Sequence, residues 1–137
     1  MNKSQDRGKA RARQWLQDAV GNGDVDFRPG QWEAIDGVVN ERSRLLVVER
    51  TGWGKSIVYF LSARLLREKE RSDALTIVVS PLISLMRNQI EQARRFDVRA
   101  VSINHLNGSE WLQNYEVSVS STLQPACGVL RPVYSIV

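Results

Sequence analysis

The chain has 137 residues, 42% of them apolar and 25% charged, which is the make-up of a soluble globular domain large enough to bury a core. No apolar run approaches the roughly 18 residues that a bilayer crossing needs, and residues 1–13 lack the apolar segment of a secretory signal. The single cysteine, Cys127, excludes an internal disulfide or a multi-cysteine metal site, so a cytoplasmic protein is the simplest reading. The net charge of +4 is confined to residues 1–13, where Lys3, Arg7, Lys9, Arg11 and Arg13 are balanced by Asp6 alone; the remainder carries 14 basic and 14 acidic residues. Such a basic arm can contact phosphates, although a solvated terminus is the more ordinary reading.

From Ala12 onward, Trp15, Leu16 and Ala19 follow the spacing of an amphipathic helix, and Gly21-Asn22-Gly23-Asp24 ends it. Trp32, Ile35, Val38 and Val39 define a second helical face. Leu45-Leu46-Val47-Val48 is a short apolar run suited to a buried strand. A glycine-rich turn follows, and a long helix is predicted from Lys55 to about Arg71. The pattern then repeats, with a strand at Leu75-Thr76-Ile77-Val78-Val79, a loop at Ser80-Pro81 and a helix from about Ile83. Ile83, Met86, Ile90 and Ala93 form the apolar stripe of that helix. Residues 98–103 read as a third strand. Strands alternating with helices predict an α/β fold with a parallel sheet and right-handed crossovers. Residues 104–137 differ, because Glu110, Glu116 and Arg131 are their only charges. Pro125, Gly128 and Pro132 interrupt the apolar stretches there, and the tail does not fit the α/β pattern.

The turn Thr51-Gly52-Trp53-Gly54-Lys55-Ser56 carries the strongest chemical signal. A triphosphate needs many donors close together and little steric bulk. Gly52 and Gly54 permit a tight backbone whose N–H groups can point inward. The following helix adds its N-terminal N–H groups and the positive end of its dipole. Lys55 is placed to reach the β and γ phosphates, and the Ser56 hydroxyl to ligate Mg²⁺. One departure stands out. The full phosphate-loop pattern begins with a small residue separated by four residues from the Gly-Lys pair, and here that position is Glu49. Its carboxylate would repel phosphates unless it points away or pairs with Arg50. Trp53 occupies a position where such loops often carry a small residue; an exposed cap and a partner-contacting aromatic are both open.

With the loop in place, the surrounding motifs resemble RecQ-like superfamily 2 (DEAD/DEAH-box type) DNA helicases, over about residues 12–112. Phe27-Arg28-Pro29-Gly30-Gln31, 24 residues before Lys55, is similar to their adenine-reading motif. Ser80-Pro81-Leu82-Ile83-Ser84-Leu85-Met86-Arg87-Asn88-Gln89 resembles their first DNA-contacting motif, and residues 98–104 the strand that follows. The resemblance implies a partial RecA-like P-loop lobe, a parallel sheet flanked by helices. It implies ATP and Mg²⁺ as cofactors, with Arg28, Gln31, Thr51, Gly52, Trp53, Gly54, Lys55 and Ser56 at the ATP and Lys55 as the catalytic residue. The Gln31 amide suits adenine because it can pair with the N6 donor and the N7 acceptor. Ser80, Pro81, Ser84, Arg87, Asn88 and Gln89 would contact single-stranded or partly duplex DNA, the serines and the helix N-terminus gripping backbone phosphates.

Hydrolysis needs more than a phosphate cradle: an acidic residue for Mg²⁺, another for water, and an arginine finger. The resemblance places the acidic residues in an Asp-Glu-x-His motif, and no Asp-Glu pair occurs in this sequence. The lone His105 has no acidic neighbour. The expected organisation is a basic arm at 1–13, a partial ATP-binding lobe at 14–112 and a divergent or poorly ordered tail at 113–137. The expected function is the ATP- and DNA-binding portion of a RecQ-like helicase, truncated and unable to hydrolyse ATP efficiently alone. A non-catalytic module that binds single-stranded DNA or protein is the alternative. A different P-loop ATPase class, such as a translocating restriction subunit, fits the 27–31 and 80–89 motifs less well.

Overall fold

Apolar residues at helical spacing organise the N-terminal half of the chain. The computed structural model describes residues 3–70, 76–80, 82–102 and 134–136, and there these residues build helices α1 (Lys3–Val20), α2 (Gln31–Val39), α3 (Lys55–Glu70) and α4 (Ile83–Arg95). Helix α1 begins at Lys3 rather than near Ala12, so most of the basic segment is helical. It ends where expected: Gly21 takes φ 71°, and the N–H groups of Gly21 and Asn22 both donate to the Gln17 carbonyl. This left-handed glycine cap suits a residue without a Cβ. The Asn22 side chain then accepts from the Asp24 N–H at 3.0 Å and tightens the turn.

The core sits between the helices. Ala12 and Leu16 of α1, Ala34, Ile35 and Val39 of α2, Val58 to Leu61 and Leu65 of α3, and Ala93 of α4 are buried together. Phe96, just past α4, stacks on Phe60 with ring centroids 5.9 Å apart. Arg64 ties three elements at once. Its guanidinium lies 4.1 Å over the Trp15 ring, and its Nη1 donates to the Phe96 carbonyl at 2.9 Å. Lys69 of α3 reaches the end of α2, donating to Asn40 Oδ1 at 2.8 Å and to the Val39 carbonyl at 3.3 Å; a cation there complements the helix C-terminus.

Three basic residues of α1 are held by the protein itself. Arg11 pairs with Glu68 at 2.6 Å, Arg13 with Asp26 at 2.9 Å, and Lys9 lies over the Trp32 ring. Such exposed contacts are screened by solvent, so they orient α1 more than they stabilise it. The Phe27 N–H, and after it the Arg13 charge, hold the Asp26 carboxyl below the usual carboxylate range. That contribution is present above the ordinary carboxylate pKa and disappears as pH falls through the lowered one.

The predicted sheet is where the structure departs from the sequence pattern. Residues 45–48 form no strand, and Leu46 and Val48 are 90% and 81% exposed. Residues 98–102 are likewise irregular, and position 103 lies outside the described residues. Strand β1 (Ile77–Val79) is present; it pairs in parallel with β2 (Tyr134–Ile136), Ile77 opposite Tyr134 and Val79 opposite Ile136. A strand, unlike a helix, finds its hydrogen-bond partners only on a neighbour. Among the described residues no ladder partner lies beside 45–48 or 98–102, so their β-branched composition has nothing to act on. The partner of β1 comes instead from the tail, which the α/β pattern does not place.

A direct check contrasts two leucines. Leu61 is fully buried, and Leu61→Ala should lower stability in urea by about 2–5 kcal/mol. Leu46→Ala should change it by less than about 0.5 kcal/mol. A large loss at Leu46 would show that residues 45–48 pack as the sequence pattern suggests.

Candidate functional site

The site is built where the start of α2 meets the start of α3. Residues 27–30 turn into α2 through Gly30, which takes φ 83° and accepts the first helical bond from the Ala34 N–H. Gln31 follows as the first residue of α2 and is only 1% exposed. Its amide is used in both directions: Oε1 accepts from the Arg28 N–H at 2.9 Å, and Nε2 donates to the Trp53 carbonyl at 2.9 Å. Arg28 adds a second tie, its Nη1 donating to the Gly52 carbonyl. The Trp53 indole packs against Gly30, where an added Cβ would stand 3.6 Å from the ring. Two motifs 22 to 24 residues apart are thus fastened into one unit.

The glycine-rich loop has the conformation its glycines permit. Gly52 and Gly54 lie at φ 84° and 99°, a region in which L side chains are strained. A Cβ on Gly54 would come within 2.6 Å of Gln31 Nε2 and 3.0 Å of Ile57 Cδ1. Trp53 is buried, 8% exposed, so it is neither an exposed cap nor a surface aromatic. Its N–H donates to the Arg50 carbonyl at 3.2 Å, so the Trp53 N–H closes a turn instead of pointing into an anion nest. Lys55 donates to the Glu49 carbonyl and, at 3.4 Å, to the Arg50 carbonyl. The Glu49 side chain is exposed; it is the backbone oxygen of this residue that faces the lysine. Thr51 is exposed, and Ser56 is half-buried in the first turn of α3.

The other motif lies around the start of α4. Ser80 Oγ donates to the Leu82 carbonyl at 3.3 Å, Ser84, Arg87 and Asn88 are exposed, and Gln89 is half-buried. Pro81 lies outside the described residues, as do His105 and Cys127. The N-terminus of α4 carries no side-chain cap; the Leu85 and Met86 N–H groups both donate to the Leu82 carbonyl, at 3.1 and 3.2 Å. Among the described residues no cluster of His, Cys, Asp or Glu could hold a metal ion. Ser56 could hold a cation here together with oxygens brought by a ligand.

One residue at the site was not singled out in the sequence. Tyr59, one turn after Ser56, is 6% exposed, and among the described residues its buried hydroxyl has no well-formed hydrogen bond. Burial pushes its pKa above the ordinary tyrosine value, and the nearby Ser56 and Gln89 side chains partly offset the rise. Leaving such a hydroxyl unsatisfied costs about 1–3 kcal/mol. The available signal was a polar-tipped ring in an otherwise apolar stretch of α3.

The packing at Gly54 is testable by contrast with Gly8, which lies inside α1 with open space around it. Gly54→Ala should destabilise the chain by about 1–3 kcal/mol through strained backbone and collision with Gln31. Gly8→Ala should stabilise it by about 0.5–1 kcal/mol. Thermal or urea denaturation reads both, and a neutral Gly54→Ala would mean the loop is not fixed as described.

The profile of the DEAD/DEAH box helicase family matches residues 28–123, more than half of the chain, and covers Arg28 to Gln31, the loop and residues 80–89. Similar proteins include the ATP-dependent DNA helicase RecQ of Haemophilus influenzae, 38% identical over 90 residues, or 66% of this chain and 13% of that protein. RecQ of Bacillus subtilis is 37% identical over 84 residues, covering 61% of this chain and 13% of its own length. The ATP-dependent DNA helicase Q4 of Mus musculus is 52% identical over 64 residues, 47% of this chain and 5% of that protein. The chain thus spans only 5–13% of the length of these relatives. No solved structure matches it. No described helix is long and apolar enough to cross a membrane. With the matched span running from Arg28 through the loop and α4, the chain belongs to the DEAD/DEAH box helicase family, as a RecQ-like member of a family whose fold is RecA-like.

Proposed function

We propose that this chain binds Mg²⁺–ATP at the loop 51–56 and single-stranded or partly duplex DNA along residues 80–89, as the ATP- and DNA-binding portion of a RecQ-like helicase. The observation that carries the reading is the fastening of the 27–31 turn to the loop through Gln31 and Arg28. A base-recognising amide and a phosphate cradle belong side by side when one ligand carries both a base and phosphates. The positive φ angles of Gly52 and Gly54 also fit a close backbone approach to an anion.

The residues fit the nucleotide, with two adjustments on binding. Lys55 would exchange the Glu49 and Arg50 carbonyls for phosphate oxygens, a charge-assisted bond in place of neutral ones. Gln31 would turn part of its amide toward adenine, since its present bonds are both internal. Ser56 would hold Mg²⁺ together with phosphate oxygens and water. The ion supplies neutralisation of phosphate charge. Arg28, at the mouth of the turn, would stack on or bond to the base. On the DNA side, the uncapped α4 N-terminus and Ser84 would meet backbone phosphates, with Arg87 adding charge. The Asp-Glu pair that would hold metal and orient water is absent from the sequence, so this chain alone would turn ATP over slowly if at all.

A second reading, binding of single-stranded DNA or protein without nucleotide, is favoured by the internal occupation of Lys55. Titration of the purified chain with Mg²⁺–ATP separates the two. Lys55→Ala should weaken nucleotide binding by at least about tenfold, which corresponds to about 1.4 kcal/mol. Equal affinity in the variant would remove the nucleotide reading, and DNA binding indifferent to the loop would support the second one. Turnover stimulated by single-stranded DNA would contradict the expected lack of hydrolysis.

A further inference from the structure

Tyr59 stands between the two parts of the site. It lies three residues after Ser56 on α3, so both side chains occupy one helix face. Its ring packs at the edge of Phe60, 4.6 Å between centroids, within the α3 core. Among the described residues the buried hydroxyl has no well-formed hydrogen bond, yet Ser56, on the loop side, and Gln89, on the α4 side that packs on α3, are both near enough to act on it. Phenylalanine would fill the same volume without stranding a hydroxyl. A buried polar atom with candidate partners on two different elements is what a switchable hydrogen-bond link requires.

We infer that Tyr59 is a positioning residue that links the nucleotide loop to the DNA-facing helix, through a Ser56–Tyr59–Gln89 hydrogen-bond chain that closes when Ser56 takes up the Mg²⁺–nucleotide. This rests on the nucleotide and DNA readings above. The direction of the chain follows from donor and acceptor rules. Once a lone pair of Ser56 is committed to a cation, its O–H donates to the Tyr59 oxygen. The Tyr59 O–H then donates to Gln89 Oε1. The Gln89 amide is fixed in orientation, with its NH₂ group left to meet DNA. No covalent bond changes. Bound DNA that orders Gln89 favours the same chain from the other end, so the two ligands strengthen each other's binding reciprocally.

The test uses the full chain, a fluorescent single-stranded oligonucleotide and a non-hydrolysable Mg²⁺–ATP analogue. Anisotropy gives DNA affinity with and without the analogue, for the unaltered chain and for Tyr59→Phe, beside the thermal midpoint of each. The analogue should tighten DNA binding by about tenfold in the unaltered chain. Tyr59→Phe should bind each ligand alone as before, melt at the same or a higher temperature, and lose the mutual effect. A variant that keeps the full nucleotide dependence overturns the link, as does an unaltered chain that binds both ligands with no mutual effect. A lower melting temperature with weakened binding of each single ligand would assign the hydroxyl a purely structural role and also overturn it. An unaltered chain that binds neither ligand would instead overturn the site reading itself, before any variant is compared.

Discussion

The shape of the loop follows from the Gln31 amide, which sits buried between α2 and the glycine-rich turn and bonds to a backbone group on each side. Removing either partner would leave an amide group unsatisfied in a dry environment, a costly outcome. The amide therefore dictates what its neighbours can be. Gly54 has no space for a side chain because Gln31 Nε2 occupies it. Trp53 is drawn inward because its own carbonyl is the acceptor, and its ring then covers Gly30. Arg28 completes the arrangement by reaching the next carbonyl along, that of Gly52.

Around this point the helices form a scaffold that hardly depends on the sheet. The buried faces of α1, α2 and α3 meet one another, with Arg64 and Lys69 bridging between elements. Most of the exposed large apolar residues, Leu46, Val48, Val79, Leu82 and Val101 among them, fall in or beside the segments with strand-like composition. Helices satisfy their own backbone, whereas strands borrow satisfaction from others, and this asymmetry separates the two halves of the architecture.

The same asymmetry explains what could be read from residues alone. Helices α2, α3 and α4 were legible because periodicity and glycine punctuation are local signals, and the loop was legible because its glycines, lysine and serine must be consecutive. The strand reading failed at 45–48 because composition reports a preference for burial and not the presence of a neighbour. Trp53 was undecided because its burial depends on Gly30, 23 positions earlier. The partners of Lys55 were invisible, since they are backbone oxygens common to every residue. Tyr59 was hidden for a related reason: its significance lies in a hydroxyl whose neighbours, Ser56 and Gln89, are brought together only by the packing of α3 on α4.

Lys55 and Gln31 are both already bonded inside the chain, and this bears on time rather than on affinity. An anion that arrives at the loop does not meet a vacant cradle. It meets an ammonium held by two carbonyls and an amide shared between two segments. For the nucleotide proposed above, entry would require these bonds to break before, or as, new ones form, so the opening of the loop would limit capture together with diffusion. The carbonyls of Glu49 and Arg50 would reclaim the lysine whenever such a ligand left, so the closed loop would be the resting position of the site.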